Sequence, residues 1–255
     1  MDFLQSTLEE IIESERLMPL AGEQRYGKYC THARVCSVFL SRCVTGVTHD
    51  RMMFGCFFSL LKKHHMLAFL SVLRLHKVQA AMNLRQVLEA GAAAAFAIAN
   101  PEQHHFAETD AQGLLDPSQD LAKKRYQWLG RHYREKSDWI RSTKERINSS
   151  TAHANIVSSG SIFRIADTGD TINAPFFDIE DEYSVRADLW HTGSIALTLM
   201  DLFYGVNQGR NVLDFFDDFP VHIDRLAREN NALLDEMKAT DRFKRVMEKY
   251  GLPRT

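Results

Sequence analysis

The chain has 255 residues, 45% of them hydrophobic and 25% charged, with a formal net charge of −2. This is an ordinary globular composition, with enough apolar material for a sizeable core. It excludes a global electrostatic pull towards nucleic acid or anionic membrane, so any such attraction rests on local patches.

Helical periodicity dominates from the start. Residues 2–18 predict an amphipathic helix with Phe3, Leu4, Leu8, Ile11 and Ile12 on one side. The segment lacks a basic leader followed by an apolar stretch, so no signal peptide is expected. Residues 23–45 continue in the same style. They carry Cys30, Cys36 and Cys43, which with Cys56 make up the cysteines. Neither CxxC nor zinc-finger spacing occurs, so buried free thiols are expected, with no metal and no cofactor. Asp50 is a candidate cap for a helical stretch running to about 80. The apolar runs 66–73 and 90–99 are too short to span a bilayer, which predicts a cytoplasmic protein without membrane association.

Residues 82–100 read as a small-residue helix ending at Asn100-Pro101, its alanines permitting close approach of a neighbour. A loop region over 101–117 leads to Ser118, a candidate cap for one helix from 119 to about 146 or beyond. Residues 161–179 alternate around Thr168-Gly169-Asp170 and predict a β-hairpin. The overlapping triplet Asp167-Thr168-Gly169 is ordinary turn chemistry here, since an aspartic protease needs two such aspartates facing each other in a β scaffold. Helix resumes from Asp181 through 205, and a last helix over 211–248 has a potential break at Pro220. The fold class expected is mainly α: a helical bundle with one small hairpin insertion, as a single domain over 1–255.

Chemistry concentrates at the end of the basic helix. Arg146 and His153 stand seven positions apart, which on a continuous helix places both on one stripe about 10.5 Å apart along the axis. The stripe lies beside the core positions Ile140, Ile147, Ala154 and Val157. Arginine side chains lean towards the helix N-terminus, so a kink over Asn148–Thr151 is needed for the pair to share a ligand. An arginine offers a planar fork of donors to a phosphate, and a histidine exchanges protons near neutrality. A boundary histidine bonded to a carbonyl, beside a surface arginine, accounts for the same residues without function.

The segment Arg146-Ile-Asn-Ser-Ser-Thr-Ala-His153 resembles the arginine–histidine motif of the HEPN superfamily, with Asn148 standing near the polar position that follows the arginine. Leu84-Arg85-Gln86-Val87-Leu88-Glu89 is similar to an upstream helix of large bacterial members. The resemblance covers about residues 50–160. It implies an all-α homodimer in which two motifs face each other, and a metal-independent endoribonuclease or an RNA-binding protein. Arg146 and His153 would then be catalytic, with Asn148 a weaker match. Arg85 and Glu89 would either form an intrahelical ion pair or support the site, with Glu89 positioning Arg146 or His153.

Residues 121–146 carry nine Lys or Arg against three acids, interleaved with Tyr126, Trp128, Tyr133 and Trp139. Lys123, Lys124, Arg125, Arg131, Arg134 and Arg141 form a candidate RNA-binding patch. Alternatively, this helix packs beside the acidic segment 165–188. Glu102-x-x-His105 and Asp188-x-x-His191 have the spacing of di-iron ligand pairs, but further inward glutamates are not evident. His64, His65 and His76 are expected to be structural. The competing functional expectation is a non-catalytic bundle that docks a protein or a small ligand.

Overall fold

The computed structural model describes residues 2–4, 6–109, 112, 115–116, 119–150, 162–165, 171–173 and 175–249. The protein is mainly α-helical with small β elements, as the periodicity predicts.

The amino-terminal segment departs from its predicted helix. Asp2–Leu4 is a strand, β1, and helix α1 spans only Leu8–Leu20. A reciprocal capping box sets the start of α1. The Thr7 hydroxyl accepts from the Glu10 N–H, and the Glu10 carboxylate accepts from the Thr7 N–H. A further short helix, α2 (Gly22–Tyr26), stops at Gly27, whose φ of 56° suits glycine. Then α3 (Lys28–Arg42) buries Tyr29, Cys30, Ala33, Cys36 and Leu40. Cys43 is also buried, whereas Cys56 is exposed, against the expectation for all four thiols. Burial pushes the Cys36 and Cys43 thiols up to about 12, so both stay protonated.

Strand β2 (Val44–Val47) pairs antiparallel with β7 (Leu213–Phe215). Asp50 does not cap the next helix. It accepts from the Thr48 hydroxyl at 2.7 Å, inside a 3₁₀ turn over His49–Arg51. Helices α4 (Met52–Leu73) and α5 (Lys77–Ala99) form an antiparallel hairpin, in place of one helix to about residue 80. Arg51 reaches the Ile98 carbonyl at one end, and His64 reaches Asn83 nearer the other. The break is at Leu75, which takes a left-handed φ of 56° without being glycine. The His76 N–H donates back to the Ser71 carbonyl, closing the last turn of α4.

The continuous helix His49–Leu73 is long and apolar enough to cross a membrane by length and composition, with a mean hydropathy of 1.2 over an 18-residue window. The two short apolar runs do not anticipate this. Here its Phe54, Phe58, Leu61 and Phe69 are buried in the protein core.

The alanine-rich α5 ends at Asn100 as predicted and packs against α8 (Glu182–Asn207). At the tightest approach, a Cβ added to Gly91 would lie 2.7 Å from Cδ2 of Leu199. Leu199 is itself fully buried and has little room to yield. Gly91→Ala is therefore expected to destabilise the protein by about 1–3 kcal/mol, read as a lower urea midpoint at unchanged m-value.

Segment 101–118 contains a short pairing of β3 (Glu108–Thr109) with β4 (Leu115–Asp116). The candidate cap Ser118 lies outside the described residues. The single helix predicted from 119 is two helices, α6 (Gln119–His132) and α7 (Arg134–Ser150), reversing at Tyr133. Tyr126 and Lys144 would be about 27 Å apart along a straight helix, yet the ammonium donates to the phenol oxygen at 2.9 Å. Folding back lets Leu121 and Leu129 of α6 and Ile140 and Ile147 of α7 all be buried. A straight helix would carry one set into water.

The predicted hairpin is present as β5 (Arg164–Ile165) antiparallel to β6 (Thr171–Asn173), with β1 added parallel to β6. Its central segment 167–170 lies outside the described residues. Asp181 caps α8 by accepting from the Ser184 N–H at 2.9 Å. The last predicted helix is three elements: β7, α9 (Phe219–Ala239) and α10 (Asp241–Lys249). Pro220 stands in the first turn of α9, where its missing N–H leaves no hydrogen bond unmade.

Candidate functional site

Three helices distant in sequence enclose a cleft of about 540 Å³. Helix α7 contributes Lys136, Trp139 and Arg146. Helix α8 contributes Trp190, His191, Ser194, Thr198 and Asp201, a stripe at helical spacing that reaches from an otherwise buried helix. Helix α9 adds Asp224, Ala227 and Asn231, again on one face.

The floor of the cleft is fixed by a buried polar chain. The Trp190 indole N–H donates to the Asn230 carbonyl at 2.9 Å, and the Asn230 amide donates to the Ser194 hydroxyl oxygen at 2.8 Å. The Asn230 side-chain oxygen accepts from Nε2 of His32 at 3.2 Å. That bond leaves Nδ1 of His32 as a buried lone pair without a hydrogen-bond donor, 3.6 Å from a Glu229 carboxylate oxygen. Burial holds the His32 imidazole below its ordinary value, against the pull of Glu229.

At the opposite wall, the Arg146 guanidinium donates to the Thr143 hydroxyl at 3.3 Å and faces the cleft. His191 of α8 is partly buried and lines the same cleft. Burial, with the positive charge of Arg146 adding to it, lowers its imidazole from 6.5 to about 4. The ring is therefore neutral near pH 7, with one N–H donor and one acceptor nitrogen. Lys136 forms an ion pair with Asp201 at 2.5 Å. The cleft thus offers a cation and a neutral imidazole side by side, flanked by hydroxyl, amide and indole groups.

Of the residues the sequence singles out, Arg146 lines this cleft, whereas His153 lies outside the described residues. Helix α7 runs through Asn148 to Ser150, and Thr151 is outside the described residues. Asn148 is half-buried, and its side-chain oxygen has no hydrogen-bond partner among the described residues. Arg85 and Glu89 form the intrahelical pair at 3.3 Å. Glu89 does not position Arg146. It binds Lys144 at 3.0 Å, tying α5 to α7 one half-turn earlier, because the reversal at Tyr133 brings Lys144 over α5. Lys144 also sits 4.8 Å from the Tyr126 ring centroid.

The basic patch is partly paired locally, two carboxylates meeting three of its six cations. Lys123 pairs with Asp120, while Arg134 and Arg141 share Asp138. Arg125 lies over the Phe106 ring, with burial lowering its pKa. Lys124 and Arg131 are exposed. Tyr126, Trp128 and Tyr133 pack on the core, so they do not form an open stacking platform, whereas Trp139 does reach the cleft. The acidic segment pairs elsewhere. Asp178 and Glu180 meet Lys77, and Asp181 meets Arg242.

The two Glu/Asp-x-x-His pairs do not gather into one cluster among the described residues. Asp188 faces Lys77, Asp178 and Glu180, while His191 faces Arg146. Glu102 and His105 pair with each other at 3.3 Å. Among the described residues no three His, Cys, Asp or Glu side chains gather to hold a metal. His64, His65 and His76 bond to Asn83, the Thr192 carbonyl and Glu15 respectively.

Sequence reasoning missed His191 as the neighbour of Arg146, together with Ser194, Asp224 and Asn231. The available signal was the polar stripe Trp190, His191, Ser194, Thr198, Asp201 on an apolar helix. Comparison with known protein-family models, curated proteins and solved structures found no match to this chain.

Proposed function

We propose that this protein is a HEPN-like, RNA-binding protein that seats one backbone phosphate between Arg146 and His191 and cleaves RNA there. The observation that carries the reading is the sharing of one cleft by the Arg146 guanidinium and a neutral imidazole. Burial is the larger cause that lowers His191, and a phosphodiester entering beside Arg146 offsets the smaller part that comes from the guanidinium charge, so the imidazole becomes a better proton acceptor. It then takes the proton of the adjacent 2′-hydroxyl. The 2′-oxygen attacks phosphorus as the P–O5′ bond breaks, leaving a 2′,3′-cyclic phosphate, and the departing 5′-oxygen takes up a proton from water. Lys124 and Arg131 extend the attraction along the strand.

Arg146→Ala is expected to weaken single-stranded RNA binding about 10–100-fold, measured by fluorescence anisotropy, for loss of a charge-assisted bond. Cleavage in EDTA should fall with it, and His153→Ala and His191→Ala separately identify which imidazole takes the proton. Unchanged binding by Arg146→Ala would sink the RNA reading. Binding without cleavage in the wild type would leave a binding protein.

We further infer a homodimer, supported by an apolar face on the α4–α5 hairpin. Leu60, Leu67, Val78 and Met82 are all exposed there. Leu60→Lys combined with Leu67→Lys is expected to convert a dimer to a monomer in sedimentation, and a monomeric wild type at tens of micromolar, roughly the scale of weak association, would exclude it.

A further inference from the structure

We propose that the Arg146 cleft takes a whole unstacked nucleotide, with the base lodged against the tryptophans Trp139 and Trp190. This rests on the phosphate reading above and goes beyond it, because a phosphate alone would need only the Arg146 end. Trp139 comes from α7 and Trp190 from α8, and both line the one cleft. The volume of about 540 Å³ lies within the roughly 300–1,000 Å³ of sites that enclose small organic ligands. Trp190 is held in place by its indole bond to the Asn230 carbonyl, so its ring is a fixed wall. Aromatic faces hold every base and suit a site without strict sequence preference.

The third wall supplies room and edge contacts. Ala227 stands between Asp224 and Asn231 on the cleft face of α9, and its methyl group leaves open the space that a larger side chain would fill. Asp224 offers acceptors and Asn231 both donors and acceptors at positions two turns apart. The Ser194 oxygen accepts from Asn230, which leaves its own O–H to donate into the cleft. A bare anion could use only the donors and is repelled by the Asp224 carboxylate, whereas a base edge can pair with donors and acceptors alike.

The test compares adenosine 5′-monophosphate, ribose 5-phosphate and adenosine by calorimetry and tryptophan quenching on the full chain. The monophosphate is expected to bind about tenfold tighter than ribose 5-phosphate, the advantage of one stacked base. That advantage should vanish in Trp139→Leu and in Ala227→Leu, while ribose 5-phosphate binding persists. Thermal melts check that each variant is folded, and the two variants perturb different helices. Equal binding of the two phosphates, both lost in Arg146→Ala, would overturn the base site and leave the phosphate reading standing. Binding of adenosine as tightly as its monophosphate would support the base site and overturn the phosphate reading. A base advantage surviving in both variants would overturn the proposal.

Discussion

Replacing His65 by glutamine is expected to remove about 3 kcal/mol of the acid sensitivity of folding. His65 is 1% exposed, and its Nε2–H donates to the Thr192 carbonyl at 3.1 Å. Burial lowers its imidazole from 6.5 to about 4. Between those values the unfolded chain binds the proton and the folded chain does not. Stability is therefore fully present above about pH 6.5 and is lost as the pH falls towards 4. Glutamine keeps an amide donor and does not titrate, so the variant should lose much less stability on acidification. Burial acts with the opposite sign on Asp188, raising its carboxyl from 3.8 to about 6. Its contribution is greatest at low pH and falls as the pH rises through 6, so it masks part of the His65 effect. The informative quantity is the difference between variant and wild type, from urea unfolding at several pH values across the window. Parallel pH profiles for the two proteins would show that His65 does not control this titration.

Asn207→Leu is expected to cost about 2–4 kcal/mol, the combined effect of several lost bonds and stranded polar groups. The Asn207 side chain is buried at the end of α8. Its oxygen accepts from the Val212 and Leu213 N–H groups at 3.0 Å each, and its amide donates to the Leu213 carbonyl at 2.9 Å. These three bonds hold the loop that delivers β7 to β2. Leucine leaves two N–H groups and one carbonyl without a side-chain partner. Asn207→Asp keeps the acceptor but turns the donor into a charge facing a carbonyl, so it should recover only part of the loss. A thermal midpoint for Asn207→Leu equal to the wild type would mean that water replaces all three bonds.

What the sequence made legible was set by local chemistry. Asp181 caps α8 and Asn100-Pro101 ends α5, because both depend on neighbours a few residues away. The hairpin at β5–β6 follows from alternation in the same way. The reversals at Leu75 and Tyr133 were not legible, since neither position holds a glycine or proline. Leu75 is kept left-handed by surroundings that include the Asp178 N–H on its carbonyl, a contact 103 residues distant. Missing the reversal at Tyr133 carried through to the site, because it decides that Glu89 meets Lys144 and not Arg146. Arg146 was found from spacing along one helix. His191, Asp224 and Asn231 were not, because only packing of α8 and α9 beside α7 brings them to it.

The three walls of the cleft also impose an order on when it can exist. Its last wall is α9, and Asn231 lies more than eighty residues after Arg146. During synthesis, which proceeds from the amino terminus, Arg146 is made long before the last of the walls that enclose it. A nascent chain can present Arg146 without a pocket, and the three-walled cleft exists only once α9 docks. Conversely, a ligand that bridges α7 and α9 holds that closing helix in place and raises the apparent stability of the whole chain with concentration.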